Sequence, residues 1–188
     1  MYDRYEGLIF DMDGTILDTE PTHRKAWDHV LSRYGMHYDA ESLAALNGSP
    51  TWRVAETIIA THQADLDAHQ LAAEKTAAVK EMLFDSVQPL PLLEVVKAYH
   101  GRRPMAVGTG SEHAMAEALL RHLGVRECFQ AIVGADDVTE HKPAPETFLR
   151  CATLLGIAPE RCVVFEDADF GIEAARRANM AYVDVRTL

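Results

Sequence analysis

Five short apolar runs, spaced so that helical stretches fit between them, constrain this chain more than any other feature. They are Leu8-Ile9-Phe10, Met105–Thr109, Ala131-Ile132-Val133, Cys162–Phe165 and Ala181–Val185. A helical pattern over Leu92–Tyr99 precedes the second run, and others over Glu112–Leu123, Pro145–Leu155 and Asp169–Ala178 lie between the later runs, several closed by a glycine. In Glu112–Leu123 the residues Met115, Leu119, Leu120 and Leu123 share one face; in Pro145–Leu155 Phe148, Ala152 and Leu155 do. Strands of this length alternating with helices imply an α/β fold with a parallel sheet and right-handed crossovers.

The interval after the first run breaks the alternation. Pro21–Gly35 reads as a helix with the stripe Trp27, Val30, Leu31 and Tyr34, and Pro21 suits a first helical turn. Further helical patches cover Ala40–Leu46, Thr51–Thr61 and Leu66–Phe84, with Asn47-Gly48-Ser49-Pro50 as a break. Val87-Gln88-Pro89-Leu90-Pro91 then reads as a stiff, extended linker. The predicted organisation is a sheet core in residues 1–18 and 88–188, interrupted by an all-helical insertion over 19–87.

Open α/β sheets place their chemistry at the carboxyl ends of the strands. The first run ends in Asp11 and Asp13, followed by Gly14 and Thr15; the second ends in Thr109, Gly110 and Ser111. Lys142-Pro143 stands on the approach to a later helix, and the fourth run ends in Glu166 and Asp167. One sheet edge would thus collect four acids, two hydroxyls and a lysine. The chemistry that needs this set is phosphoryl transfer, which depends on positioning and on neutralising charge. Asp11 and Asp167 suit Mg²⁺, which takes oxygen ligands and usually one or two carboxylates. Thr109, Gly110, Ser111 and Lys142 form a phosphate-holding set. Asp11 is the candidate nucleophile, and Asp13 the candidate acid for the leaving oxygen and base for water.

Composition narrows the partners. Eighteen basic residues against 29 acidic ones give a net charge of −11, and Lys/Arg never cluster beyond a pair. A nucleic-acid or anionic-membrane surface is not expected, and an anionic substrate must meet local cations. No run approaches the roughly 20 apolar residues of a membrane span, and the first residues lack a signal pattern. Cys128, Cys151 and Cys162 are scattered within apolar patterns and read as reduced thiols. The expectation is a cytoplasmic protein, with nothing demanding more than a monomer.

Asp11-Met12-Asp13-Gly14-Thr15, Thr109, Lys142-Pro143 and Glu166-Asp167 together resemble the motifs of the haloacid dehalogenase superfamily. Their order and spacing are similar to its β-phosphoglucomutase-like subgroup, over essentially the whole chain. The resemblance implies a Rossmann-like core with a helical cap inserted after the first motif. It also implies a phosphorylated Asp11 intermediate and Mg²⁺ held by Asp11, the Asp13 main-chain carbonyl and Asp167, with Glu166 close to the metal or its waters. The implied activity is hydrolysis of small sugar phosphates, and overall similarity points to fructose 1-phosphate. A helical lid of this size favours small phosphometabolites over phosphoproteins.

Several residues carry two readings. His23 is either a helix-surface histidine or a site residue, as subgroup members often carry a histidine there; Glu20 either caps its helix or faces the site. Lys75 and Arg53 either reach substrate from the cap or are solvated helix charges. Trp27 and Trp52 read as cap core, and Asp169 as a helix cap. Gly108-Thr109-Gly110 with His113 imitates part of a dinucleotide fingerprint, but the third glycine is missing. A phosphomutase shares the core chemistry; in that subgroup the mutase task resembles one needing a cap arginine, and aligning Gly48 puts Thr51 there, with Arg53 displaced. A non-enzymatic phosphoacceptor domain also combines acids, a hydroxyl, a lysine and Mg²⁺, but carries its acceptor on a mid-chain strand without a helical insertion.

Overall fold

The structure, a computed structural model, describes residues 1–43, 46 and 51–188. The sequence-predicted break at Asn47-Gly48-Ser49-Pro50 lies outside the described residues. The chain divides into two compact units, Met1–Asp18 with Gln88–Leu188, and Thr19–Val87.

In chain order the first unit contains β1 (Gly7–Phe10) and β2 (Leu17–Asp18). The second contains α1 (Glu20–Ser32), α2 (Ala40–Leu43), α3 (Thr51–His62) and α4 (Ala68–Ser86). The first unit then resumes with β3 (Gln88–Pro89), α5 (Leu93–Tyr99), β4 (Met105–Gly108), α6 (His113–His122) and β5 (Ala131–Val133). It ends with α7 (Glu146–Leu155), β6 (Cys162–Glu166), α8 (Asp169–Arg177) and β7 (Ala181–Asp184).

The main sheet has five strands in the order β5-β4-β1-β6-β7, and every pairing is parallel. β1 lies in the middle, and its residues are fully buried on both faces, as a parallel sheet covered by helices requires. Alternate residues serve alternate faces. Ile9, Ala106, Val133 and Val164 pack in one cluster with Phe148 and Cys151 of α7 and Ala174 and Ala175 of α8. Phe10 stacks on Phe165 at 4.6 Å, and Tyr2 meets Phe165 edge-on. Cys151 and Cys162 are buried, Cys128 is half-buried, and all three are free thiols.

Register then sets the height of the strand ends. Phe10 is level with both Val107 and Phe165, so Asp11 leaves β1 beside Gly108 on one side and Glu166 on the other. The Asp11 amide donates to the Phe165 carbonyl at 2.9 Å, which carries the alignment one residue past the strand.

The extended stretch after the insertion is more than a linker. Gln88–Pro89 pairs antiparallel with Leu17–Asp18, and the Leu90 amide donates to the Ile16 carbonyl at 2.9 Å. A two-residue strand has no periodicity to read, and its partner lies some seventy residues away in sequence.

Within the helical unit, Ala26, Trp27, Val30 and Leu31 of α1 are buried, and α1 and α3 both pack on α4. Asp67 caps α4 by accepting from the Gln70 amide at 2.8 Å. Trp27 stacks on Tyr38 at 6.1 Å. Tyr34 does not join the buried stripe, because α1 ends at Ser32 and tightens through i−3 bonds at Arg33, Tyr34 and Gly35. Tyr34 is exposed and donates to Glu74. Trp52 is likewise not core: α3 turns Ala55 and Ile58 inward, leaving Trp52 41% exposed and stacked on His69. Asp169 is not a cap either; it is the first residue of α8 and pairs with Arg186. Among the described residues no helix is long and apolar enough to cross a membrane.

Candidate active site

The turn after β1 is built on one acceptor. The Met12 carbonyl takes the amides of Thr15, Ile16 and Leu17, and the Gly14 amide donates to the Leu17 carbonyl at 2.7 Å. Gly14 sits at φ +81°, where side chains are disfavoured. A Cβ there would also stand 2.3 Å from Asp167 Oδ2, so the turn approaches the end of β6 more closely than any other residue allows.

Asp11 is buried, and its Oδ1 accepts from Lys142 Nζ at 2.6 Å. The same ammonium donates to Glu166 Oε2 at 2.8 Å. Glu166 Oε1 in turn accepts from the Asp167 and Ala168 amides at 3.2 and 3.1 Å, so both of its oxygens are engaged. Lys142 lies over the Phe148 ring and is joined to Pro143 by a cis peptide. Asp13 Oδ2 accepts from Ser111 Oγ at 2.9 Å and, more weakly, from Thr109 Oγ1 at 3.4 Å. The Ser111 amide donates to Thr109 Oγ1 at 3.0 Å, folding that loop on itself. Gly110, between them, is exposed.

Burial dominates the electrostatics. It pushes the Glu166 carboxyl up to about 7, with the Asp11 charge adding and Lys142 opposing. Burial also raises Asp11, against Lys142 and with the help of Asp13, and raises Asp167, with the help of Asp11. For Lys142 burial works the other way, yet the Asp11 and Glu166 carboxylates outweigh it and hold the ammonium above its ordinary value. One cation facing two buried acids leaves a net negative site, which is what a second cation would relieve. Carboxylate oxygens of Asp11, Glu166 and Asp167 lie within 4.8 Å of one another. An all-oxygen donor set of this kind fits Mg²⁺.

The structure thus brings Asp11, Asp13, Thr109, Ser111, Lys142, Glu166 and Asp167 to one edge of the sheet. Glu20, His23 and Lys75 belong to the helical unit. There Lys75, only 5% exposed, donates to His23 Nδ1 at 2.6 Å and lies over the Trp27 ring. Burial, with the Lys75 charge adding and Glu20 opposing, pulls His23 down to about 4, so the imidazole is neutral. Glu20 pairs with Arg24 at 3.0 Å, and Arg53 is exposed. Sequence reasoning assigned no role to Thr15, whose hydroxyl donates to Asp167 Oδ1 at 3.2 Å. The signal was faint: a hydroxyl two residues past an acid pair.

Residues 8–185 match the profile of the haloacid dehalogenase-like hydrolases. The chain is 69% identical, over the full length of both proteins, to the fructose-1-phosphate phosphatase YqaB of Escherichia coli K12. It is 32% identical to a validoxylamine A 7'-phosphate phosphatase of Streptomyces hygroscopicus, covering 97% of this chain and 86% of that one. Among solved structures, a β-phosphoglucomutase from Clostridium difficile superposes with a TM-score of 0.74 at 28% identity, covering 95% of this chain and 83% of that one. Motif order, strand-end geometry and these likenesses agree: the chain belongs to the haloacid dehalogenase-like hydrolases.

Proposed function

We propose that this chain is a Mg²⁺-dependent phosphatase of small sugar phosphates, fructose 1-phosphate first among them, acting as a cytoplasmic monomer through a phosphorylated aspartate. The observation that carries the reading is the pairing of a buried Asp11 with Lys142, one strand-turn away from a separately held Asp13. The 69% identity to a fructose-1-phosphate phosphatase supports the substrate.

In the first step an Asp11 carboxylate oxygen attacks phosphorus, the bond from phosphorus to the sugar oxygen breaks, and Asp13 gives that oxygen its proton. In the second, Asp13 takes a proton from water as the water oxygen attacks phosphorus. Inorganic phosphate leaves and the Asp11 carboxylate is restored. Lys142 neutralises Asp11 and the phosphoryl oxygens, while Thr109, Ser111 and the Gly110 backbone orient them. Asp11, Asp167 and the Asp13 main-chain carbonyl would hold Mg²⁺. When bound, the ion offsets repulsion between a carboxylate and a phosphate. Glu166, its oxygens engaged by Lys142 and two amides, is assigned to holding Lys142. The helical unit is assigned substrate selection, with Glu20, His23 and Lys75 as the residues that carry it.

Phosphate release across a sugar-phosphate panel, with Mg²⁺ or with chelator, tests this for the native protein and Asp11→Asn. Expected is Mg²⁺-dependent release that the substitution abolishes. Undiminished activity in Asp11→Asn removes that residue as nucleophile. Isomerisation of a hexose 1-phosphate faster than phosphate release, given a trace of hexose bisphosphate, assigns a mutase instead.

A further inference from the structure

The loop carrying Thr109 and Ser111 is held from behind by a second turn, Gly134–Asp137, at the end of β5. The Thr109 amide donates to the Val133 carbonyl and the Ala135 amide to the Ser111 carbonyl, both at 2.9 Å. His113, the first residue of α6, donates its amide to Asp136 Oδ1 at 2.7 Å. That bond caps α6 from a neighbouring loop, since Glu112 at the cap position makes no side-chain cap of its own. The His113 Nδ1 lies 2.6 Å from Asp137 Oδ2, which also accepts the Gly134 amide at 2.8 Å. An ionised carboxylate only accepts, so Nδ1 carries the proton. Gly134 completes the fit: a Cβ there would stand 2.4 Å from the His113 nitrogen and 2.7 Å from its Cα. Those are backbone atoms and have no side-chain freedom with which to yield.

Nothing in the proposed chemistry uses Asp136, Asp137 or His113, yet together they tie the start of α6, two residues past Ser111, to the turn whose Ala135 amide holds the Ser111 carbonyl. We infer that Asp137 and His113 are positioning residues for phosphate: they clamp the Thr109–Ser111 loop so that its two hydroxyls face the phosphoryl oxygens and Asp13. The inference rests on the reading of this edge as a phosphate site. The clamp sits behind the hydroxyl loop, whereas the acids proposed for the metal come from β1 and β6. Loosening it therefore weakens phosphate binding and turnover while sparing the metal.

Asp137→Ala, His113→Ala, their double variant and Asp137→Asn are compared with the native protein. The readouts are kcat, KM, the inhibition constant of inorganic phosphate, Mg²⁺ affinity by calorimetry, and the urea midpoint. Displacing a positioning loop by about 1 Å can cost about a hundredfold in rate. Asp137→Ala is expected to lower kcat/KM about 10- to 100-fold and weaken phosphate inhibition about tenfold, with Mg²⁺ affinity within about threefold. The double variant should be no worse than Asp137→Ala, because the bond that His113→Ala removes is already lost there. Asp137→Asn, which keeps an acceptor, should recover most of the loss. His113→Ala decides the question if Asp137→Ala does not fold. Unchanged phosphate inhibition, multiplying losses, or phosphate and Mg²⁺ affinities falling in step would overturn the clamp. A native protein that releases no phosphate, or an active Asp11→Asn, overturns the reading of the site and the clamp with it; an active native protein with a neutral Asp137→Ala overturns the clamp alone.

Discussion

Replacing Gly14 by alanine makes two separable demands on the turn after β1. The first is conformational: at φ +81° an L side chain costs about 1–2 kcal/mol, of which the stiffer unfolded chain returns about 0.4–1. The second is steric. The new methyl would lie 2.3 Å from Asp167 Oδ2 and 2.8 Å from its Cγ, so the carboxylate must retreat by about 1 Å to reach van der Waals contact. That movement breaks the Thr15 hydroxyl bond to Asp167, already 3.2 Å long, at about 1.5–3 kcal/mol for a charged acceptor. Together these give a loss of about 2–4 kcal/mol. Gly35 supplies the control: its φ is +66°, but nothing lies within 4 Å of an added Cβ, so Gly35→Ala carries only the conformational cost of about 1 kcal/mol. Urea unfolding of both variants in chelator measures the difference. Calorimetric Mg²⁺ titration of Gly14→Ala should also show affinity at least about tenfold weaker, the cost of misplacing a ligand's support. A Gly14→Ala protein no less stable than Gly35→Ala, with native Mg²⁺ affinity, would refute the close approach of Asp167 and its assignment as a ligand.

Two further outcomes follow from buried groups. Lys142→Met strands Asp11 and Glu166, whose side chains are 8% and 2% exposed, without their shared cation. In chelator it should lose about 3–5 kcal/mol by urea unfolding, and saturating Mg²⁺ should recover more stability than it adds to the native protein; a loss below about 1 kcal/mol contradicts the pairing. His23 is held at about 4 against an ordinary 6.5, so between those values the unfolded chain binds the proton that the folded chain refuses. Its contribution is complete above about pH 6.5 and is lost as pH falls towards 4; from pH 7 to 5 that is at most about 2 kcal/mol. His23→Gln should flatten this part of the stability profile, and an unchanged slope assigns the pH dependence to other groups.

The sequence by itself determined the class of fold and picked out the acids, hydroxyls and lysine that meet at one sheet edge. Apolar runs such as Leu8-Ile9-Phe10 and Cys162–Phe165 are long enough only for strands, and burial on both faces leaves them uniformly apolar. The acids, hydroxyls and lysine stand out because they interrupt that pattern at its ends. Local signals also located the helices, to within a few residues at their ends. Tertiary structure decided the rest. Register, a sum of long-range pairings, set Asp11 level with Glu166. Tyr34 and Trp52 turned outward because helix ends and helix faces depend on neighbours that periodicity does not contain. The β2–β3 pairing and the hold of Asp137 on His113 join segments distant in sequence through one or two hydrogen bonds each. Such contacts leave no periodic trace, since polar residues in loops are chosen by what they meet in space.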